Sequence, residues 1–459
     1  MDNPPRSFTS RLALEPDPLF WSDEAGLQYS FPVPLQKEAK IPLSGPPLAR
    51  PFDTSQLLTK GLNAKPNEPA LVSKRAQWSW RELEGVSSRL AAGLLGLGLT
   101  AGDRVACLMP NRCEVILFYI ACMKAGLVAV PLNYRYKAPE IDHALTVSNA
   151  AVLLAHDERA EDIAASQCAK SLRFGVISYN DDGGSVSPTF AELAEGSSCC
   201  HLAAPAPEAP AIIFFTSGST GRPKGVTHSF ETLGWVIANM EGGYDIRPDD
   251  VWLPGSSMAH MGGHIFSLAP LAMGARVVVP LVYDAQELLW LFRDQRPTSM
   301  WILPSNLFSL VRDHGATHDD FASLKYCFSG GDKVPRKLEV EFEELVGRPI
   351  TEIYGMTEIG DVSVNLPNGD FKLGSVGRIT PGFEISICSE DRNELPIGAQ
   401  GRLWVRFAGT TPGYWENPDA TAQVLVDGWF DTGDIMSIDQ SGFLWFHGRG
   451  KQIIVHDGS

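Results

Sequence analysis

Apolar positions along the first third of the chain fall into two periods. Leu83, Val86, Leu90, Leu94 and Leu97 recur at helical spacing and predict a helix with one buried face. The runs at 128–132 (VAVPL) and 151–155 (AVLLA) are of strand length. An Ala/Pro-rich stretch at 201–210 reads as a linker. Beyond it, 211–215 (AIIFF) predicts a buried strand. Strand and helix signals then alternate at 276–279, 285–293, 300–303, 325–328 and 337–345. Such alternation predicts parallel sheets covered by helices. From about residue 374 the runs shorten (383–388, 402–407, 442–447) and Gly, Pro and Asp turns separate them, which predicts a small β-rich, barrel-like subdomain. Residues 1–52 hold ten of the 33 prolines, a composition that disfavours regular structure. Phe20, Trp21, Tyr29 and Phe31 are expected to anchor this arm. The predicted fold class is α/β: an arm (1–52), two parallel-sheet α/β lobes (53–200 and 201–373), the β-rich subdomain (374–447) and a terminal segment (448–459).

Composition narrows the function classes. With 44% hydrophobic and 20% charged residues in 459, the chain is globular rather than disordered. Its net charge of −16, with no basic stripe, excludes a nucleic-acid footprint and disfavours an anionic membrane face. The purest apolar runs, 90–99 and 115–123, are about half of the ~20 residues a membrane-spanning helix needs. The N-terminus lacks the basic and apolar regions of a secretory signal. The eight cysteines form no CxxC pair and no zinc spacing, and read as reduced thiols. A cytoplasmic location is expected, with no membrane span and no nucleic-acid partner.

The strongest chemical signal follows the AIIFF strand. Residues 216–225, TSGSTGRPKG, place Thr216, Ser217, Gly218, Ser219, Thr220 and Gly221 in a loop whose backbone N–H groups suit a polyphosphate, with Lys224 as a mobile cation. The string is not a GxxxxGK[ST] loop, because Pro223 precedes Lys224 and Gly225 follows it. A plain Gly/Ser surface loop is the bland alternative. Together with YGMTE (354–358), GWFDTGDI (428–435), GRGK (448–451), KAGLVAVPLNYRY (124–136) and GSVGRITPG (374–382), it resembles the adenylate-forming superfamily of acyl-CoA synthetases, peptide-synthetase adenylation domains and luciferases. The likeness covers residues 50–459.

The resemblance implies joining a carboxylate to ATP, giving acyl-AMP and pyrophosphate. It assigns Thr216–Lys224 to the β- and γ-phosphates, Glu358 to Mg²⁺, Thr357 to a hydrogen bond near the α-phosphate, and Asp434 to both ribose hydroxyls. Arg449 is expected at the ribose or phosphate edge. Tyr354 and Gly355 are expected against adenine, with Gly330, Gly331 and Asp332 on its other side. Thr357, Glu358 and Lys224 are the expected catalytic set. Taken singly, Glu358 could be a carboxylate at a helix N-terminus and Asp434 a turn residue. His228 and His264 are expected to be structural.

SSMAHMGGH (256–264) resembles the motif walling the acid pocket. Met261 stands where amino-acid-activating members carry an aspartate, and an unpaired ammonium there would be costly. With His260, Gly262 and Gly263 it implies an apolar acid, fatty or aryl. Met261 packing in the core is the bland reading. Ser329, Gly330 and Met356 are the expected opposite wall. Coenzyme A is the expected acceptor, a carrier-protein phosphopantetheine the alternative, and a non-catalytic nucleotide- or acyl-binding protein the alternative of another class. The chain stops just after the hinge, Lys451. The superfamily's further small C-terminal lid is absent, so a truncated fragment with impaired adenylation is expected.

Overall fold

The computed structural model describes residues 43–180, 188–196, 204–216, 222–312, 315–367 and 370–450. These lie in one compact unit spanning residues 41–459. The predicted anchors Phe20, Trp21, Tyr29 and Phe31 fall outside the described residues, as do Ser217–Gly221 and Lys451.

The helical period at 83–97 becomes the helix Trp80–Gly96, which buries Leu83, Leu90 and Leu94. Its start is set by a capping box: Glu82 N–H donates to Ser79 Oγ and Ser79 N–H donates to the Glu82 carboxylate. Against it packs Cys113–Ala125, buried on almost every side and ended by Gly126 in the left-handed conformation. Such a helix is a core element. The chargeless stretch 251–275 is a strand, Val251–Gly255, followed by a helix, Met261–Ala272. No helix among the described residues is long and apolar enough to cross a membrane.

Two sheets carry the fold. The seven-stranded one runs Gly413–Tyr414, Lys224–Ser229, Pro210–Thr216, Val128–Pro131, Arg104–Leu108, Val152–His156 and Val176–Tyr179. From Pro210–Thr216 onward its neighbours are parallel. The other pairs, on the side of Lys224–Ser229, are antiparallel. The second sheet has fourteen strands among the described residues. Its parallel part joins Pro69–Val72, Arg276–Val278, Val251–Gly255, Ser299–Ile302, Tyr326–Ser329 and Ile350–Met356.

Two features differ from the sequence pattern. The β-rich region does not close into a barrel. Its strands continue the second sheet in antiparallel fashion, from Ile350–Met356 through Gly360–Val364, Gly377–Ile379, Phe443–Arg449, Trp429–Ile438 and Gly401–Arg406 to Glu384–Cys388. The lobes also exchange strands. Pro69–Val72 and Gln77–Ser79, early in the chain, belong to the second sheet, whereas Pro210–Thr216 and Lys224–Ser229 complete the first. Hydrophobic period reports which face is buried, and it carries no information on which strand lies alongside.

Candidate active site

The two ends of the 216–225 motif lie on paired antiparallel strands. Thr216 on the strand Pro210–Thr216 pairs with Lys224 at the start of the next. Both strands are buried, so Thr216 and Lys224 are held by a well-packed ribbon.

The YGMTE motif lies in the second sheet. Its Tyr354, Gly355 and Met356 end the strand Ile350–Met356, and Thr357–Glu358–Ile359 turn into Gly360–Val364. Gly360, at φ 75°, supplies the left-handed residue that a three-residue hairpin requires. Glu358 is therefore on a hairpin tip, and no helix dipole accounts for it. Gly355 lies at a bulge, where an added Cβ would sit 2.4 Å from Gly360 O.

Around this strand the polar groups form two clusters. In the first, Tyr354 Oη donates to Asp434 Oδ2 at 2.7 Å, and Arg449 Nε lies 3.3 Å from Oδ1. Asp434 is 2% exposed, and among the described residues its Oδ1 accepts no well-formed hydrogen bond. Burial raises its pKa, opposed by Tyr354 and Arg449. Burial also holds the Tyr354 hydroxyl protonated, as a fixed donor. Asp434 and Arg449 are paired residues on adjacent strands, brought together by the register of Trp429–Ile438 against Phe443–Arg449.

The second cluster surrounds Glu358. Tyr414 Oη donates to Glu358 Oε1 at 3.0 Å, and the Lys224 ammonium lies 5.1 Å from the centre of the same tyrosine ring. Burial raises the Glu358 pKa, opposed by its own backbone N–H, Tyr414, Arg449 and Lys224. Thr411 N–H donates to Glu358 O at 2.7 Å. His228 Nε2 lies 2.8 Å from Thr357 O. Since a carbonyl only accepts, Nε2 carries the proton. Burial lowers this imidazole to a pKa of about 4, so it is neutral and Nδ1 is left to accept from Thr232. His264, lowered to about 3, packs edge-on against Tyr119 and Phe214. Sequence reasoning missed Tyr414. Its only mark is an aromatic pair after a Pro–Gly turn, and nothing linear connects it to Lys224.

The residues fit Mg²⁺ in one specific way. Among the described residues no group of three or more His, Cys, Asp and Glu could hold a metal alone. Glu358 is a single carboxylate whose burial disfavours its charge, sharing Tyr414 as a neighbour with the Lys224 ammonium. Such a group suits a cation that completes its shell with phosphate oxygens and water.

The expected acid wall is laid out at the start of Met261–Ala272. His260 is exposed at the N-cap, while Met261 is 5% exposed and packs into the main core. Gly262 lies under the Trp301 indole, so close that a Cβ would be 2.5 Å from the ring. A Cβ on Gly263 would strike Ser257 O. Trp301 is 6% exposed, stacks on Phe266 at 5.3 Å, and its Nε1–H has no acceptor among the described residues. On the opposite wall Met356 is half-buried. Ser329 is fully buried, with its hydroxyl donating to Ile302 O. Gly330 has a packing reason of its own, since a Cβ would sit 2.6 Å from Ile353 O. Gly331 takes φ 80°, and Asp332 is exposed beside it.

Residues 58–415 match the AMP-binding enzyme family. A feruloyl-CoA synthase of Amycolatopsis sp is 31% identical over 387 residues, covering 83% of this chain and 75% of its own length. A fatty acid–[acyl-carrier-protein] ligase of Streptomyces coeruleorubidus is 30% identical over 404 residues, covering 86% of this chain and 76% of its own. Among solved structures, ATP-bound MatB from Rhodopseudomonas palustris superposes with a TM-score of 0.80 at 27% identity, over 86% of this chain and 79% of its own.

Proposed function

Because this chain belongs to the AMP-binding enzyme family, we propose that it activates an apolar aryl acid, using the two clusters around Ile350–Met356 for the nucleotide. The family reaction is the ATP-dependent conversion of a carboxylic acid to acyl-AMP with release of pyrophosphate, followed by thioester formation with coenzyme A. ATP, Mg²⁺ and coenzyme A are its cofactors and cosubstrates.

The observation that carries the nucleotide reading is the placement of Tyr354, Thr357 and Glu358 between the Asp434–Arg449 pair and Lys224. The carboxylate of the acid attacks the α-phosphorus and pyrophosphate leaves, so two anions must approach each other. Lys224, Thr216 and the loop between them would hold the β- and γ-phosphates. The Thr357 hydroxyl would donate at the α-phosphate, its turn pinned from behind by neutral His228. Glu358 would hold Mg²⁺, which supplies charge screening between the phosphates. The Tyr354 ring would face adenine while its hydroxyl keeps Asp434 in place. Asp434 Oδ1, without a well-formed hydrogen bond, is the atom open to a ribose hydroxyl once Arg449 turns aside.

The aryl reading rests on Trp301. Its indole meets Gly262 on one side and stacks on Phe266, which makes the expected acid wall aromatic at this point. The feruloyl-CoA synthase relative supports it. A carrier-protein thiol as acceptor is the second reading, supported by the carrier-protein ligase relative. Calorimetry with non-reacting acyl sulfamoyl-adenosines tests the first point. A cinnamoyl derivative should bind at least 10-fold tighter than a decanoyl one, about 1.4 kcal/mol. The reverse order refutes the aryl assignment. Supplying coenzyme A and a phosphopantetheinylated carrier side by side distinguishes the acceptors.

A further inference from the structure

Tyr414 touches both charged groups of the second cluster and is accounted for by neither. Its hydroxyl donates to Glu358 Oε1 at 3.0 Å, while its ring face lies 5.1 Å from the Lys224 ammonium. Lys224 and Glu358 make no ion pair within 4.0 Å, although both contact Tyr414. Two flexible, oppositely charged side chains with a shared neighbour would ordinarily close on each other, and a closed pair offers neither charge to a ligand.

The backbone around Tyr414 makes it a rigid spacer. Gly413–Tyr414 pairs antiparallel with the strand that begins at Lys224, setting Tyr414 opposite Val226. Trp415 N–H donates to Gly225 O at 2.7 Å. Thr411 ties the same segment to both sides, through its N–H to Glu358 O at 2.7 Å and its hydroxyl to Thr227 O at 2.5 Å. Gly413, at φ 147°, has Thr421 where a Cβ would stand.

We propose that Tyr414 is a positioning residue that keeps the Lys224 ammonium and the Glu358 carboxylate apart, so that one remains available to the polyphosphate and the other to its divalent cation. This rests on the reading of Glu358 as the cation's carboxylate. The ring seats the cation by its negative face. The hydroxyl fixes one carboxylate oxygen and leaves the other to the metal.

The test is equilibrium binding of α,β-methylene-ATP, which cannot be cleaved at the reacting bond. Calorimetry in Mg²⁺ or in EDTA is combined with Mn²⁺ occupancy by electron paramagnetic resonance. Y414F keeps the ring and removes the donor. It should weaken metal-dependent binding roughly 10-fold, the worth of one hydrogen bond to a charged group, and leave binding in EDTA within about 2-fold. Y414L removes the ring too, and should weaken binding in both conditions as Lys224 closes on Glu358. In an E358Q background, Y414F should have no further effect on metal-dependent binding. Equal weakening with and without metal, or effects that add in the double variant, would overturn the proposal. A fully metal-dependent E358Q would instead overturn the assignment of Glu358, a separate failure. Thermal unfolding of each variant shows whether the fold is kept, and the E358Q comparison holds even where Y414F loses some stability.

Discussion

The Tyr354–Asp434 hydrogen bond makes the sharpest stability prediction. Tyr354→Phe removes one oxygen and keeps the ring, so neither packing volume nor strand pairing changes. Asp434 is 2% exposed and, among the described residues, accepts on Oδ2 from this hydroxyl alone at 2.7 Å, with Oδ1 facing Arg449. Loss of a donor to a buried carboxylate should cost ~1.5–3 kcal/mol. The Asp434 pKa should rise further, because the tyrosine is what chiefly opposes burial there. Urea unfolding of the native protein, Y354F, D434L and the double variant measures this, with the slopes compared as well as the midpoints. In the D434L background the tyrosine hydroxyl has lost its acceptor, so Y354F should be neutral or slightly stabilising. A cost equal in both backgrounds would refute the reasoning, since it would belong to the ring and not to the bond. The same variants carry a functional arm. If the tyrosine holds Asp434 for ribose, Y354F should narrow the affinity gap between AMP and 2′,3′-dideoxy-AMP.

Two further outcomes follow from the geometry. Gly330→Ala should destabilise by ~1–3 kcal/mol and lower nucleotide binding, because its Cβ would meet the Ile353 carbonyl, a backbone atom that cannot swing away; unchanged unfolding would show that the loop shifts freely. Glu352 and Glu339 face each other in the interior, each with a buried oxygen lacking a partner among the described residues, beside Arg336 and Lys333. Burial and the Glu339 carboxyl push Glu352 up to about 8. A carboxyl raised on folding binds its proton more tightly in the folded state. Its stabilisation is complete below the ordinary glutamate range and is lost as pH rises through about 8. Melting temperature should therefore fall over that window, and Glu352→Gln should flatten the slope.

The positions of elements are legible in the sequence where one face is buried. The apolar run at 211–215 becomes Pro210–Thr216, and the period through Leu83, Leu90 and Leu94 becomes Trp80–Gly96. Neighbours are not legible, because pairing is decided by three-dimensional packing. Hence the β-rich segment extends a sheet instead of closing a barrel, and the early hairpin Pro69–Ser79 joins late strands. In the site, Tyr354, Glu358 and Asp434 stand in motifs that announce them. Tyr414 does not, since its role depends on a cross-strand partner and a hairpin tip far away in sequence. Met261 shows the opposite limit, for an apolar residue in a motif is also an ordinary core residue, and this one is 5% exposed.

The strand exchange has a consequence for synthesis on the ribosome. Pro69–Val72 carries the buried Ala70, Leu71 and Val72, and its parallel neighbour Arg276–Val278 is made about 200 residues later. At ~5–20 residues per second that is a wait of roughly 10–40 s with an apolar strand edge uncovered. Nascent chains shorter than about 280 residues should be the species that chaperones hold, and the ones most prone to aggregate when translation stalls.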